Sequence, residues 1–550
     1  MNKRPLLITF FLIILCLLPM MILRDFSPDN ELRYLQIADE AIENGNIFAF
    51  TLDGQAYADK PPLYLWIVML CKLILGKHSM LLLSLFSLIP AFVIISVMDR
   101  WASLNKVTDR VAVAFLMMTC ALFIGAAVFL RMDMLMTMFI VLALYSFWQL
   151  YEGTGNRKRQ EILLPVWIFL ALFTKGPVGI LMPPLAIICF LLVERKGRET
   201  GKYLGWKTWG IIAGLCLVWF TGVYLDGGKD YLNNLLFHQT VGRAVNSFHH
   251  KAPFWFYFVA VWYIVAPYMF LLIGSIVASF LKGRDEFRSD RETFFLVTVV
   301  STFVMLSLFS GKLAIYLVPI MPFMVLLFVE VLKRTGWKKW MTWSLAVPSI
   351  LIVLAVLFAL GFLFFCPDGS KLAGLVSPYP FARSGMVKLA LFLLLQGFAI
   401  ALYYMFKVRP NLSLIFIGAS ILLAAYSASA ILPQANDWIG YGNFCKTISQ
   451  DREVAALYIR RPGPMKVYLG RDVSDYQRDF NAFYEAEVQG REPSDGTLVL
   501  VTQSKRLDRD EALGAFARSR NHWFVGPYCL ISVEPVIDNI ETNNNSSYEQ

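Results

Sequence analysis

Charge is scarce in this chain. Asp, Glu, Lys and Arg make up 16% of its 550 residues and apolar types 57%, whereas a soluble chain averages about a quarter charged residues. With a mean hydropathy of +0.56, that balance excludes an ordinary soluble protein. The eight cysteines include no Cys-x-x-Cys pair, which removes the usual zinc and thiol-redox motifs. No glycine-rich phosphate loop occurs, so a water-soluble nucleotide donor held by such a loop is excluded. Basic stripes interleaved with aromatics, the mark of single-strand nucleic-acid binders, are also missing. No internal repeat is present, and no small-x-small cleavage site follows the first apolar run.

Long apolar runs are abundant instead. In order they are 5–23, 79–98, 110–130, 133–151, 161–174, 177–193, 207–225, 256–281, 293–310, 313–332, 342–365, 386–407 and 411–431. Read as crossings of roughly 30 Å of hydrocarbon, they number thirteen, the first a retained anchor. The basic connections 99–109, 156–160, 194–207, 282–292, 333–340 and 407–410 then share a side with Lys3 and Arg4. The excess of Lys and Arg makes that side cytoplasmic, so the N-terminus is expected inside and the C-terminus outside. A fourteenth crossing at 61–75 would break this agreement, and that stretch is expected to lie along the membrane surface. The net charge of +10 faces anionic lipid and calls for no nucleic acid.

Composition shifts after residue 433. The expected organisation is a transmembrane domain over 1–433, with a first outer loop at 24–78 carrying juxtamembrane helices. A small extracytoplasmic α/β domain follows over 434–535, built on the apolar runs KVYLG, GTLVLV and CLISVEP and a helix near 508–518. Residues 536–550 read as a polar, disordered tail. Cys16, Cys120, Cys189 and Cys216 fall in crossings as small buried hydrophobes, and neither Cys71 nor Cys366 suggests a partner. Cys445 and Cys529 share the outer domain and are the pair an oxidising compartment would join.

With sides assigned, nearly all the unusual ionisable groups fall outside. They are SPDNELRY at 27–34, Tyr57, Asp59 and Lys60 of YADKPP, Arg131 and Asp133 of LRMD, and Lys175 of TKGP. Farther on come His238 and Arg243 of HQTVGR, His250 of HHKAPFW, and Lys312 and Tyr316 of SGKLAIY, one helical turn apart. A carboxylate heading an apolar helix is costly to desolvate unless paired or wet. A salt bridge to Arg131, or the helix N-terminus, accounts for Asp133 without chemistry; a polar cavity accounts for it with chemistry. In SPDNELRY, Ser27 as N-cap, Pro28 at the first helical position and acids in the first turn start a helix. It is expected to run through LRYLQIADEAI to Gly45. Capping needs one acid, which leaves Arg33 and the second acid for function.

Acids beside bases suit attack by a hydroxyl or phosphate as an anionic group departs. A carboxylate takes a proton or orients the nucleophile, and Lys or Arg neutralises a leaving phosphate. Sugar transfer from a lipid-phosphate donor has those requirements. A transporter would instead place ionisable groups near the bilayer midplane on repeated halves.

The order acidic–Arg–Tyr, acidic–Lys–Pro, lone Asp, Thr-Lys-Gly, His-x-Ala-Pro-Phe-Trp and Gly-Lys-Leu-x-x-Tyr, over roughly residues 5 to 330, resembles the bacterial lipid A aminoarabinose transferases. These are GT-C membrane glycosyltransferases related to protein O-mannosyltransferases. The resemblance implies an α-helical integral membrane protein of the bacterial inner membrane, with about thirteen transmembrane helices and a periplasmic active site. It also implies inverting transfer of a sugar, such as aminoarabinose, from undecaprenyl phosphate to lipid A or another outer-leaflet glycolipid. The alternatives are a protein O-glycosyltransferase on the same fold and a transporter or flippase of lipid-linked sugars.

Residue by residue, the family's first-loop acid falls on Asp29 or Glu31, because this chain reads PDNELRY where the family reads PDE-x-RY. Asp29 is taken as the acceptor's base or orienter, Glu31 as the reserve, and Asp133 as an orienting or charge-stabilising acid. Lys60 matches the lysine expected on the donor phosphate. Arg33, Tyr34, Tyr57, Lys175, Arg243, Lys312 and Tyr316 complete the implied substrate site. A divalent metal, zinc, would be held by Asp59, His238 and His250; Gln239-Thr240 replaces the family's usual Glu-His pair there and weakens that set.

Overall fold

The computed structural model describes residues 4–236, 251–281, 288–365, 374, 376–490 and 496–534. It divides into two compact units, one of Met1–Arg24 with Ile37–Leu432, the other of Asp25–Gln36 with Pro433–Gln550. The first contains the helices α1 (Arg4–Leu23), the C-terminal part of α2 (Arg33–Asn44), α3 (Pro62–Leu75), α4 (Met80–Ala102), α5 (Val107–Met118), α6 (Ala121–Val128), α7 (Met132–Glu152), α8 (Arg157–Lys175) and α9 (Pro177–Val193). It continues with α10 (Trp206–Asn233), α11 (Phe256–Ile264), α12 (Met269–Phe280), α13 (Asp290–Leu308), α14 (Met321–Thr335), α15 (Lys339–Phe365), α16 (Gly385–Phe406) and α17 (Pro410–Ala428).

Among the described residues nine helices are long and apolar enough to cross a membrane, and the pair α5–α6, bent by 75°, makes a tenth. The other three expected crossings are α8, whose first turn is charged, the 17-residue α9, and the segment 256–281. That last segment and 110–130 are not the continuous helices expected. Each is broken, and the breaks satisfy one another: Ala121 N donates to Ala266 O at 3.0 Å, and the Thr119 and Tyr268 hydroxyls meet at 2.8 Å. Irregular backbone at membrane depth persists only where protein supplies its hydrogen bonds.

Loops assigned to one side by charge meet at one end of the bundle. Arg110 grips Asp99 through two 2.7 Å bonds, Arg291 reaches Trp101 O and Glu152, and Lys333 donates to Ala102 O. Lys196 and Asp290 both bond the Tyr151 hydroxyl, and Asn411 donates to Asp109. The reading that nearly all unusual ionisable groups fall at the opposite end overlooked the ion pairs here. Asp99–Arg110 and Glu292–Arg334 are both buried or nearly so.

The stretch 61–75, expected along the membrane surface, forms α3. Its 14 residues span about 21 Å, short of the hydrocarbon thickness. Both its ends are tied to the same loop: Trp66 Nε1 donates to Ile47 O at 2.6 Å, and Lys72 donates to Asp39 at 2.6 Å.

The second unit is a five-stranded mixed sheet in the order β4-β3-β5-β7-β6, following a two-residue hairpin, β1 (Thr51–Leu52) with β2 (Gln55–Ala56), in the first unit. Its strands are β3 (Glu453–Ala456), β4 (Ser474–Asp475), β5 (Leu498–Gln503), β6 (His522–Val525) and β7 (Tyr528–Val533). The helix Glu511–Arg518 covers one face through Leu513, Phe516 and Ala517. KVYLG forms a single helical turn, Lys466–Leu469, closed by Gly470 at φ 68°. Cys445 and Cys529 are both free, and the pleat of β7 explains why. Cys529 points into the core with Leu500 and Phe516, while its neighbour Tyr528 points the other way, onto Phe444 at 4.8 Å between ring centres. Successive strand residues face opposite sides, so Cys445, next to Phe444, lies across the sheet from Cys529.

Candidate active site

Each unit carries part of the expected residue set. In the first unit Arg131, in extended conformation, caps α7, and Asp133 sits in its first turn, where the helix dipole favours negative charge. Asp133 is 2% exposed, with Arg131 Nε at 3.5 Å and a hydrogen bond from Lys175 Nζ. Lys175 ends α8, and its ammonium also lies 4.5 Å from the centre of the Tyr316 ring. The turn after it depends on glycine. Gly176 has φ 109° and ψ −145°, a conformation L side chains rarely adopt, and a Cβ on Gly179 would lie 2.3 Å from the Ala171 backbone. The Thr-Lys-Gly-Pro stretch thus lets α8 and α9 approach closely with Lys175 aimed at Asp133. One carboxylate against two cations leaves the cluster a net positive charge.

Lys312 is placed differently from expectation. It precedes Leu313, the N-cap of the following 3-10 turn, so it is not a helical turn from Tyr316. It is buried and donates to Ala252 O at 3.0 Å and to Phe309 O, joining the connections on either side of 256–309.

The connection between α2 and α3 is held by acids that sequence reading did not single out. Asp226 accepts from the backbone N–H groups of Ile47, Phe48 and Ala49 at 2.7–2.9 Å. Glu40 accepts from Thr51 Oγ1 and Asp53 N, both at 2.8 Å. The Tyr231 hydroxyl accepts from Phe50 N at 3.0 Å and donates to Tyr57 O at 2.7 Å. Tyr57 is buried and Asp59 and Lys60 are half-buried beyond it. The polar run Asp226-Gly-Gly-Lys-Asp-Tyr231 was the available signal for the first and last of these contacts.

In the second unit the extra residue of PDNELRY is absorbed as one π turn, Pro28–Leu32, with Leu32 N donating to Ser27 O at 3.0 Å. A π turn accommodates one added residue without disturbing the helix that follows, so the helix expected from Pro28 begins with this turn, continues as α2 from Arg33, and is followed by Gly45 at φ 72°. The two acids part company here. Glu31 is 1% exposed, its Oε2 accepting from Ser27 N at 2.8 Å, which is half of a capping box. Asp29 is 52% exposed, with Arg460 at 3.4 Å and Arg461 at 3.7 Å from its carboxylate. The Arg33 guanidinium lies 5.6 Å from the Tyr34 ring centre.

Arg243, His238 and His250 lie outside the described residues. Asp59 is therefore the only described member of the suggested zinc set, and among the described residues no three His, Cys, Asp or Glu side chains group to hold a metal.

The model of the dolichyl-phosphate-mannose-protein mannosyltransferase family matches residues 59–223. An undecaprenyl phosphate-alpha-4-amino-4-deoxy-L-arabinose arabinosyl transferase of Shewanella sediminis is 26% identical over 322 residues, 57% of each chain. One of the same description from Pseudomonas fluorescens is 26% identical over 329 residues, 58% of this chain and 56% of that one. The chain thus matches less than two thirds of the length of these relatives. Among solved structures, ArnT from Cupriavidus metallidurans bound to undecaprenyl phosphate superposes with a TM-score of 0.72 at 15% identity, covering 97% of this chain and 98% of that one. The resemblance read from the motifs holds, and the fold is that of a multi-pass GT-C membrane protein.

Proposed function

We propose that this chain is an integral-membrane glycosyltransferase that moves a sugar, aminoarabinose in the relatives' descriptions, from undecaprenyl phosphate to lipid A or a similar outer-leaflet glycolipid. The observation that carries the reading is the buried Asp133 flanked by Lys175 and the half-buried Arg131, with Tyr316 against the Lys175 ammonium. It gathers three of the motifs on which the resemblance rests, at one end of the bundle.

The chemistry asked of these groups is limited. An acceptor oxygen attacks the anomeric carbon from the face opposite the phosphate, the carbon–oxygen bond to the polyprenyl phosphate breaks, and its electron pair leaves with that phosphate. Lys60, with Lys312 and Arg243, is assigned to the departing phosphate, whose charge a cation stabilises in the transition state. Asp133 holds Lys175 and Arg131 in place and sets the local charge. Asp29 receives or orients the acceptor's proton, because Glu31 is enclosed and occupied by the Ser27 N–H. The N-terminus is assigned to the cytoplasm and the second unit to the periplasm of a bacterial inner membrane, from the loop charges.

Mass spectrometry of envelope lipids tests this in cells lacking the protein, complemented with wild type, Asp29→Asn or Asp133→Asn. A sugar mass on lipid A should vanish, return with wild type, and fail to return with either variant. Unchanged lipid masses in the deletion would remove lipid A as acceptor, and full rescue by both variants would sink the catalytic roles.

A further inference from the structure

Arg460 and Arg461 lie in the second unit, more than 400 residues from Asp29, yet both guanidinium groups meet it. Arg461 Nη1 donates to Asp29 O at 2.7 Å, and Arg460 Nη1 lies 3.4 Å from Oδ2. The loop that carries them is held in an unusual shape. Tyr458 and Arg461 both have φ 60°, a region that non-glycine side chains enter at a cost and that recurs at functional sites. Three contacts maintain it: Tyr441 Oη donates to Arg460 O at 2.9 Å, Tyr458 N donates to Gln477 O, and Pro464 and Met465 are buried. The backbone is fixed while the two side chains are 73% and 41% exposed.

Two such cations around one carboxylate leave one positive charge unbalanced. Each Arg has five N–H donors in a planar fork, and among the described residues each contacts Asp29 through a single nitrogen. Both side chains are exposed enough for the other donors to reach a ligand, and the planar fork of an Arg matches a phosphate. Surface pairing alone would add little stability and gives no reason for the strained backbone.

From this we infer that Arg460 and Arg461 form an anion site for a phosphate on the acceptor glycolipid's headgroup, placed beside Asp29. The inference rests on the transferase reading for its ligand, and gives the second unit the task of acceptor recognition.

The test uses the full-length protein in lipid nanodiscs. Binding of diphosphorylated lipid A, of its dephosphorylated form and of undecaprenyl phosphate is measured for wild type and for Arg460→Gln/Arg461→Asn, asparagine being tolerated at positive φ. Wild type should prefer the phosphorylated lipid by about tenfold or more, as charge-assisted pairs allow. The double variant should lose that preference and keep its affinity for undecaprenyl phosphate, and Arg460→Lys/Arg461→Lys should regain part of it. Equal preference in the double variant, no preference in wild type, or equal competition by phosphatidylglycerol would each overturn the site. Loss of the preference without any sugar transfer by wild type would keep the site and reject the transferase reading. Normal transfer with an unchanged acceptor KM in the double variant would do the reverse.

Discussion

Lys175, the last residue of α8, donates to the carboxylate of Asp133 in the first turn of α7. Removing one member of so enclosed a pair leaves the other charge uncompensated. Lys175→Met is expected to lower both the melting temperature and sugar transfer, the latter on the order of 100-fold as for other lost electrostatic groups. Asp133→Asn combined with Lys175→Met should recover much of the stability and none of the activity. A double variant with wild-type turnover would show the pair to be structural only.

Asp29 and Glu31 are expected to respond in opposite ways. Asp29→Asn should change unfolding by less than about 0.5 kcal/mol, since an exposed carboxylate contributes little to stability, while sugar transfer falls steeply. Glu31→Ala should cost about 1 kcal/mol through the lost acceptor for Ser27 N–H. Thermal unfolding alongside an acceptor assay separates them, and full activity in Asp29→Asn with none in Glu31→Gln would reverse the assignment.

Much of this site was legible beforehand. Ser27, Pro28 and Gly45 delimited the helix, and the extra residue before Arg33 was visible in PDNELRY. That a π turn would take it up, burying Glu31 and exposing Asp29, depends on backbone hydrogen bonds that no pattern of residue types declares. The partnership of Asp29 with Arg460 and Arg461 spans more than 400 residues and leaves no local trace. The break at Thr119 interrupts a run with no glycine or proline beside it, so hydropathy reads straight through; Pro267 was the available signal for the other break and was read through as well. The separation of Cys445 from Cys529 was within reach, because the alternation of β7 puts Tyr528 and Cys529 on opposite faces.

At the other end of the bundle, Arg110 and Asp99 are 5% and 8% exposed and joined by two bonds of 2.7 Å. Asp99→Leu alone should destabilise the protein by about 3–5 kcal/mol, while replacement of both by apolar residues of similar volume should come close to neutral. A double-mutant cycle read by thermal unfolding in detergent checks this, and additive effects would contradict it.

The second unit should weaken in alkali. Burial raises the phenols of Tyr441 and Tyr468, with the Asp25 carboxylate adding to the effect at Tyr468. Tyr528 is pushed up to about 12, first by burial and then by Asp29. The folded state therefore favours the neutral phenol. Its stabilising contribution is complete below pH 10, the ordinary tyrosine value, and is lost as pH climbs from there through the folded value. Tyrosinate absorbance should rise in step with loss of sheet signal, later than for free tyrosine, and Tyr528→Phe should reduce the pH dependence. A titration at the ordinary value would refute the burial.

The twelve residues from Asp25 to Gln36 belong to the same compact unit as everything after Leu432. Asp25 accepts from Gly442 N and Tyr468 Oη, and its own N–H is bonded by Asn436. A ribosome has to add more than 400 residues after Asp25 before those partners exist. The segment following the first helix therefore waits through the insertion of every later one, and a chain cut at residue 433 would leave Asp25, Asp29 and the π turn stranded.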